Sequence, residues 1–154
     1  MELSRMLRHV LYDSSESYTT LDKEVEFLRN YIELMHIRYD NDIDIRLNTP
    51  DMNTCRRVSL PPLLIIVLVE NAFKHGISYN RHSFIYIDIA VQQNNLCCTV
   101  SNSRHPSYMT QNSGIGLNNV TQRLNLLFDK EYTLDIDSSD DNVYVVKMVI
   151  PIKR

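Results

Sequence analysis

Asn71, Lys74 and His75 stand at i, i+3 and i+4, so on a helix they share one face. Together they deliver an amide, an ammonium and an imidazole to one spot, an unusual expense for packing alone. The residues before them are of a different kind. From Leu63 to Val69 every side chain is apolar, so a helix here is greasy on all sides and belongs in a core. Pro61 and Pro62 suit its first turn, and Gly76 supplies a C-terminal stop. Buried polar groups without partners are costly, so the change of character at Glu70 and Asn71 asks for a reason. Two remain open: a ligand site, or the polar end of a core helix reaching solvent.

A second patch lies about forty residues further on, where Ser113-Gly114-Ile115-Gly116-Leu117 joins a polar loop to an amphipathic stretch. The chain has only three glycines, Gly76, Gly114 and Gly116, so their positions carry information. Two glycines before a helix let backbone N–H groups approach an anion, and the helix N-terminus adds partial positive charge. Taken alone, such a pair is more often a tight turn.

The elements that must position these patches follow from periodicity. Residues 2–12 predict a short helix with Leu3, Leu7 and Val10 or Leu11 on one side. After a polar break, Thr20 caps a long helix with acids at its start and a seam of Leu21, Val25, Leu28, Ile32 and Met35, widened by Phe27, Tyr31 and Leu34. Ile43, Ile45 and Leu47 alternate with polar residues as a half-buried strand, and residues 48–53 read as a turn-rich link. Residues 83–91 and 96–100 form a hairpin, followed by a loop over 101–113 long enough to serve as a lid. Residues 117–128 are a helix with Val120, Leu124 and Leu127 inward, and strands follow at 132–136 and 143–150. The expected fold is α/β (α+β): a two-layer sandwich, its mixed sheet covered on one face by helices and preceded by an N-terminal helix pair.

At 154 residues, with 44% apolar and 23% charged content, the chain can bury a real core. A net charge of −3 argues against nucleic acid as the main partner. Three cysteines, two of them adjacent, make neither a disulfide framework nor a zinc knuckle and point to a reducing setting. The apolar run at 63–69 is too short to span a bilayer.

N-A-F-K-H-G after an apolar helix, with G-I-G-L-N-N-V-T-Q-R-L downstream, resembles the N box and second glycine box of GHKL-type ATPases (the Bergerat fold). P-P-L-L-x-x-x-L-V-E-N-A-F-K-H-G narrows the resemblance to sensor histidine kinases of the LytS type. S-R-M-L-R-H-V-L-Y and L-D-K-E-V-E-F-L-R-N-Y-I-E-L-M-H-I-R-Y are similar to the segment joining those kinases' phosphoacceptor region to their ATPase domain. The resemblance divides the chain into residues 1–40, the joining segment, and 41–154, the ATP-binding catalytic domain. It implies ATP and Mg²⁺ as cofactors, with Asn71 the Mg²⁺ ligand, Lys74 offsetting phosphate charge and His75 lining the nucleotide pocket. Glu70 would position a water or the metal; its plainer role is an i, i+4 pair with Lys74 worth about 0.3–0.5 kcal/mol. Gly114, Ile115, Gly116 and Leu117 would present phosphate-facing amides, and Arg123 would either reach phosphate or lie on the helix surface.

Two departures from the pattern stand out. Where the first glycine box carries an Asp followed by glycines, this chain has Asn102-Ser103-Arg104. A carboxamide oxygen can still accept from an adenine amino group, without the charge. No H-F-x-F-N phosphoacceptor segment is present, and none of the five histidines has that context. The expectation is a protein histidine kinase domain that binds Mg·ATP without labelling itself. Its implied partners are a phosphoacceptor histidine segment of the parent protein, a response regulator and a second copy as a homodimer. It would lie on the cytoplasmic side of an inner-membrane protein. The alternative is a degenerate GHKL module that senses nucleotide or scaffolds without phosphotransfer.

Overall fold

The computed structural model describes residues 17–39, 43–78, 81–105 and 115–152. The helix expected at 2–12 therefore lies outside the described residues, as does most of the expected lid.

Five strands form the main sheet: β2 (Ile43–Asn48), β4 (Ser83–Gln92), β5 (Asn95–Ser103), β6 (Thr133–Asp137) and β7 (Val143–Pro151). They lie in the order β2-β4-β5-β7-β6. β2 pairs with β4 in parallel and the other pairs are antiparallel, so the sheet is mixed as expected. Strand alternation sets its two faces. Ile87, Val100 and Val146 fall in one cross-strand row, Ile89, Cys98 and Met148 in the next, and all six are buried. The opposite face carries Phe84 stacked on Tyr86, with the Arg46 guanidinium over the Tyr86 ring. The adjacent cysteines point to opposite faces, Cys98 buried and Cys97 half-buried.

Helices α1 (Leu21–Arg38), α3 (Leu64–His75) and α4 (Ile115–Phe128) cover the inner face, and one core runs from Leu21 to Ile150. In α1 the seam of Leu21, Val25, Leu28 and Met35 is buried with Tyr31, whose ring meets Phe73 edge-on. Leu34 is an exception, 37% exposed, because it lies off the buried stripe. In α4, Leu117, Val120 and Leu124 pack inward, whereas Leu127 is 39% exposed. Phe128 takes the inward place at that end.

The link expected at residues 48–53 runs into a short helix, α2 (Met52–Arg57). Asp51 caps it, accepting from the Thr54 N–H at 3.0 Å and the Thr54 hydroxyl at 2.7 Å. Behind it, β3 (Ser59–Leu60) pairs with β1 (Thr19–Thr20), which binds the foot of α1 to the approach of α3.

Pro61 and Pro62 lie before α3, not in its first turn. Leu63 is the N-cap, with φ 65° and ψ 18°, a left-handed conformation. A residue with a Cβ is strained there by about 1–3 kcal/mol, and Leu63 carries that strain with its side chain fully buried.

Candidate functional site

Along α3 the core takes Ile65, Leu68, Val69, Ala72 and Phe73. Helical periodicity then turns Val67, Glu70, Asn71, Lys74 and His75 away from it. Glu70, Asn71 and His75 are half-buried and Lys74 is exposed. Burial, and secondarily the Lys74 charge, holds the His75 imidazole below its ordinary value, which keeps it neutral at pH 7. The stripe thus presents a carboxamide, an ammonium and a neutral imidazole within two turns.

Gly76 ends α3, but not through a left-handed cap: its φ is −96°. It is needed for close approach. A Cβ there would lie 2.6 Å from the Ala72 carbonyl oxygen, 2.8 Å from Asn102 Cβ and 3.0 Å from Asn102 Nδ2. β5 continues past the expected boundary to Ser103 and delivers Asn102, fully buried, beneath the end of α3. Asn102 Nδ2 donates to the Ser103 carbonyl at 2.8 Å, which orients the carboxamide. The Ser103 hydroxyl donates to the Gly76 carbonyl at 2.6 Å and accepts from the Phe84 N–H at 3.1 Å, joining α3, β5 and β4. Arg104 is also engaged, donating to the Ser138 carbonyl at 3.0 Å.

The direction of α4 follows from strand register. β5 ends at Ser103 beside Gly76. β6 begins at Thr133, opposite Val149, and Val149 pairs with Cys97 at the far end of the sheet. Helix α4, lying between β5 and β6 in sequence, travels back from the Gly76 end. Arg123 agrees: its Nη2 donates to the Pro62 carbonyl at 2.5 Å, just before α3 begins. Since Pro62 precedes α3 and Arg123 lies in the second half of α4, the two helices run antiparallel, with the start of α4 toward the Gly76 end of α3.

The structure therefore brings Glu70, Asn71, Lys74, His75, Asn102 and the first turn of α4, with Ile115 and Gly116, to one end of the helical layer. Gly114 lies outside the described residues. Leu117 is buried, so only its backbone is open to a ligand. Arg123 is engaged at the opposite end of α3. Among the described residues no group of three or more His, Cys, Asp or Glu could hold a metal. Ser103 carries structural weight here that the linear pattern does not show.

Comparison with known proteins bears on this arrangement. A histidine kinase family profile matches residues 1–43. The sensor histidine kinase/phosphatase LytS of Staphylococcus aureus MRSA252 is 31% identical over 170 residues, covering 100% of this chain and 28% of its own length. The sensor protein LytS of Oceanobacillus iheyensis is 27% identical, again over 100% of this chain and 28% of its own.

Along its whole length the chain is similar to LytS-type sensor histidine kinases.

The chain spans just over a quarter of the length of those curated relatives. Solved structures agree on the fold. The catalytic domain of histidine kinase ThkA in a nucleotide-free form superposes with a TM-score of 0.61 at 18% identity, covering 88% of this chain and 98% of that one. Acinetobacter baumannii histidine kinase AdeS gives 0.61 at 15% identity, covering 99% of this chain and 77% of that one. A ThkA structure in complex with response regulator protein TrrA gives 0.57 at 17% identity, covering 97% of this chain and 48% of that one. Among the described residues no helix is long and apolar enough to cross a membrane.

Proposed function

We propose that this chain is the ATP-binding catalytic portion of a sensor histidine kinase. Within it, the end of α3 and the start of α4 hold Mg·ATP for transfer of the γ-phosphoryl group to a histidine on another segment of the parent protein. The reading is supported by the antiparallel run of α3 and α4, which puts the end of one and the start of the other toward the same end of the layer. The residues present fit a Mg²⁺ ion. Asn71 offers a hard, half-buried oxygen to a cation that takes its other ligands from phosphates and water. When bound, the ion offsets charge on the triphosphate.

The chain's own residues do the positioning. Lys74 places an ammonium beside Asn71, and neutral His75 offers a ring nitrogen to the nucleotide without adding charge. Backbone N–H groups of the first turn of α4 face the phosphates with the positive end of the helix dipole. Asn102, with its nitrogen held by Ser103, turns its carboxamide oxygen to the adenine amino group. Glu70 orients a water in the shell of the ion. The phosphoacceptor segment, a second copy of the parent protein and a response regulator are the partners of this reading, which places the chain on the cytoplasmic side of a membrane-anchored sensor. Residues 1–40 serve as the connection toward the phosphoacceptor region.

One observation favours a second reading, a nucleotide-sensing module without phosphotransfer. The positions that would be flexible glycines after Asn102 are Ser103 and Arg104, and both are tied by hydrogen bonds. Displacement of a fluorescent ATP analogue, followed by mixing with a separately produced phosphoacceptor segment, distinguishes the two. The kinase reading expects Mg²⁺-dependent displacement and phosphohistidine on the added segment. Displacement without phosphohistidine supports the sensing module, and no displacement removes both.

A further inference from the structure

Glu24 is a charged residue buried to 5% exposure in α1, the helix on the connecting side of the molecule. Its two carboxylate oxygens accept from the Leu63 N–H at 3.2 and 3.3 Å. Leu63 is the N-cap of α3, and its N–H, lying before the intrahelical ladder, needs an acceptor from outside the helix. In a capping box, a glutamate inside the same helix reaches back to that N–H. Here a glutamate 39 residues earlier in the chain does so from another helix. It also holds a backbone that is left-handed at a leucine. On the other side of the same turn, Arg123 of α4 donates to the Pro62 carbonyl, and its charge acts on the Glu24 carboxylate. Two further ties bind the foot of α1 to this region: the Leu21 N–H donates to the Val58 carbonyl at 2.9 Å, and β1 pairs with β3.

We propose that Glu24 is a positioning residue: with Arg123 it clamps the Pro62–Leu63 turn, so that α1, the start of α3 and α4 are held as one body. The alignment of α4 along α3 then depends on α1. Since α4 starts toward the Gly76 end of α3, a displacement of α1 is passed to the nucleotide end of the site through this turn. The functional half of the inference rests on the ATP-binding reading above; the mechanical half does not.

The test uses this chain with Glu24→Ala and Glu24→Gln, the second keeping an acceptor oxygen of the same reach. Calorimetric titration with Mg·ATP, well below the melting temperature of all forms, is expected to show Kd raised at least threefold by Glu24→Ala and restored to within twofold by Glu24→Gln. A smaller loss in Glu24→Ala, or a Glu24→Gln variant as weak as Glu24→Ala, overturns the proposal. Amide hydrogen exchange separates this outcome from failure of the nucleotide reading. If the wild-type chain binds no Mg·ATP, residues 115–128 should still lose at least tenfold protection in Glu24→Ala, relative to β4 and β5, and keep it in Glu24→Gln. Unchanged protection of that helix in Glu24→Ala overturns the clamp itself. Should Glu24→Ala fail to fold, Glu24→Asp, one methylene too short, takes its place with the same expected outcomes.

Discussion

Gly76 and Asn102 meet backbone to side chain: a Cβ on Gly76 would stand 2.8 Å from Asn102 Cβ and 2.6 Å from the Ala72 carbonyl oxygen. Two elements of the candidate site are thereby fixed to each other, the end of α3 and the end of β5. Gly76→Ala should destabilise the chain by about 1–3 kcal/mol, because overpacking against backbone exceeds the few tenths to 1 kcal/mol gained from a stiffer unfolded chain. Urea denaturation checks this, and an unchanged or raised midpoint would contradict the close approach.

The Ser103 hydroxyl bridges the Gly76 carbonyl and the Phe84 N–H in a buried setting. Ser103→Ala leaves both groups without that partner and should cost about 1–3 kcal/mol, with Ser103→Thr recovering part of it. A loss under 0.5 kcal/mol in the same assay would mean that water replaces the hydroxyl, with the α3–β5 junction looser than described.

Burial raises the Glu24 carboxyl to about 7, with the Leu63 N–H and the Arg123 charge pulling the other way. The native state therefore binds a proton between about pH 4.5 and 7 that the unfolded state has released, so this group's contribution to stability falls as pH rises through that window. The full shift corresponds to roughly 3 kcal/mol as an upper bound. Glu24→Gln, neutral throughout, should be more stable than wild type at pH 8 by about 1–3 kcal/mol, and the gap should close toward pH 5. Denaturation midpoints across that range give the answer; a gap that widens toward acid would reverse the sign.

His75 should titrate below the ordinary imidazole value, held down by burial and by Lys74. Imidazole NMR of wild type and Lys74→Ala checks it, with an upward move expected in the variant. A wild-type ring protonated at pH 7 would remove the neutral imidazole from the site.

Much of this fold is written in periodicity: the mixed sheet, the greasy α3 and the inward rows of β4 and β5 follow from residue alternation and from the Asn71–His75 spacing. The errors share a physical cause. Pro61 and Pro62 suit a first turn by local preference, but the helix begins after Leu63, where a distant carboxylate supplies the cap. Gly76 suits a left-handed stop, yet its role is to let Asn102 approach. Leu127 fits the helical stripe of α4 but lies where the sheet gives it little cover. Each outcome is decided by a tertiary neighbour that local pattern does not contain. The motifs of the candidate site were legible because their residue types are chemically costly in a core; Ser103, which braces that site, gives no such signal in isolation, and Glu24, at the other end of α3, reads as an ordinary acid at a helix start.

The central claim is that one end of the α3–α4 layer holds Mg·ATP. Calorimetric titration of ATP into the chain, first with Mg²⁺ and then with EDTA, tests it most directly. Saturable heat that weakens at least tenfold in EDTA, with the Mg²⁺-dependent part lost in Asn71→Ala, is the predicted result. No heat in either condition, or binding that Asn71→Ala leaves unchanged, would contradict it.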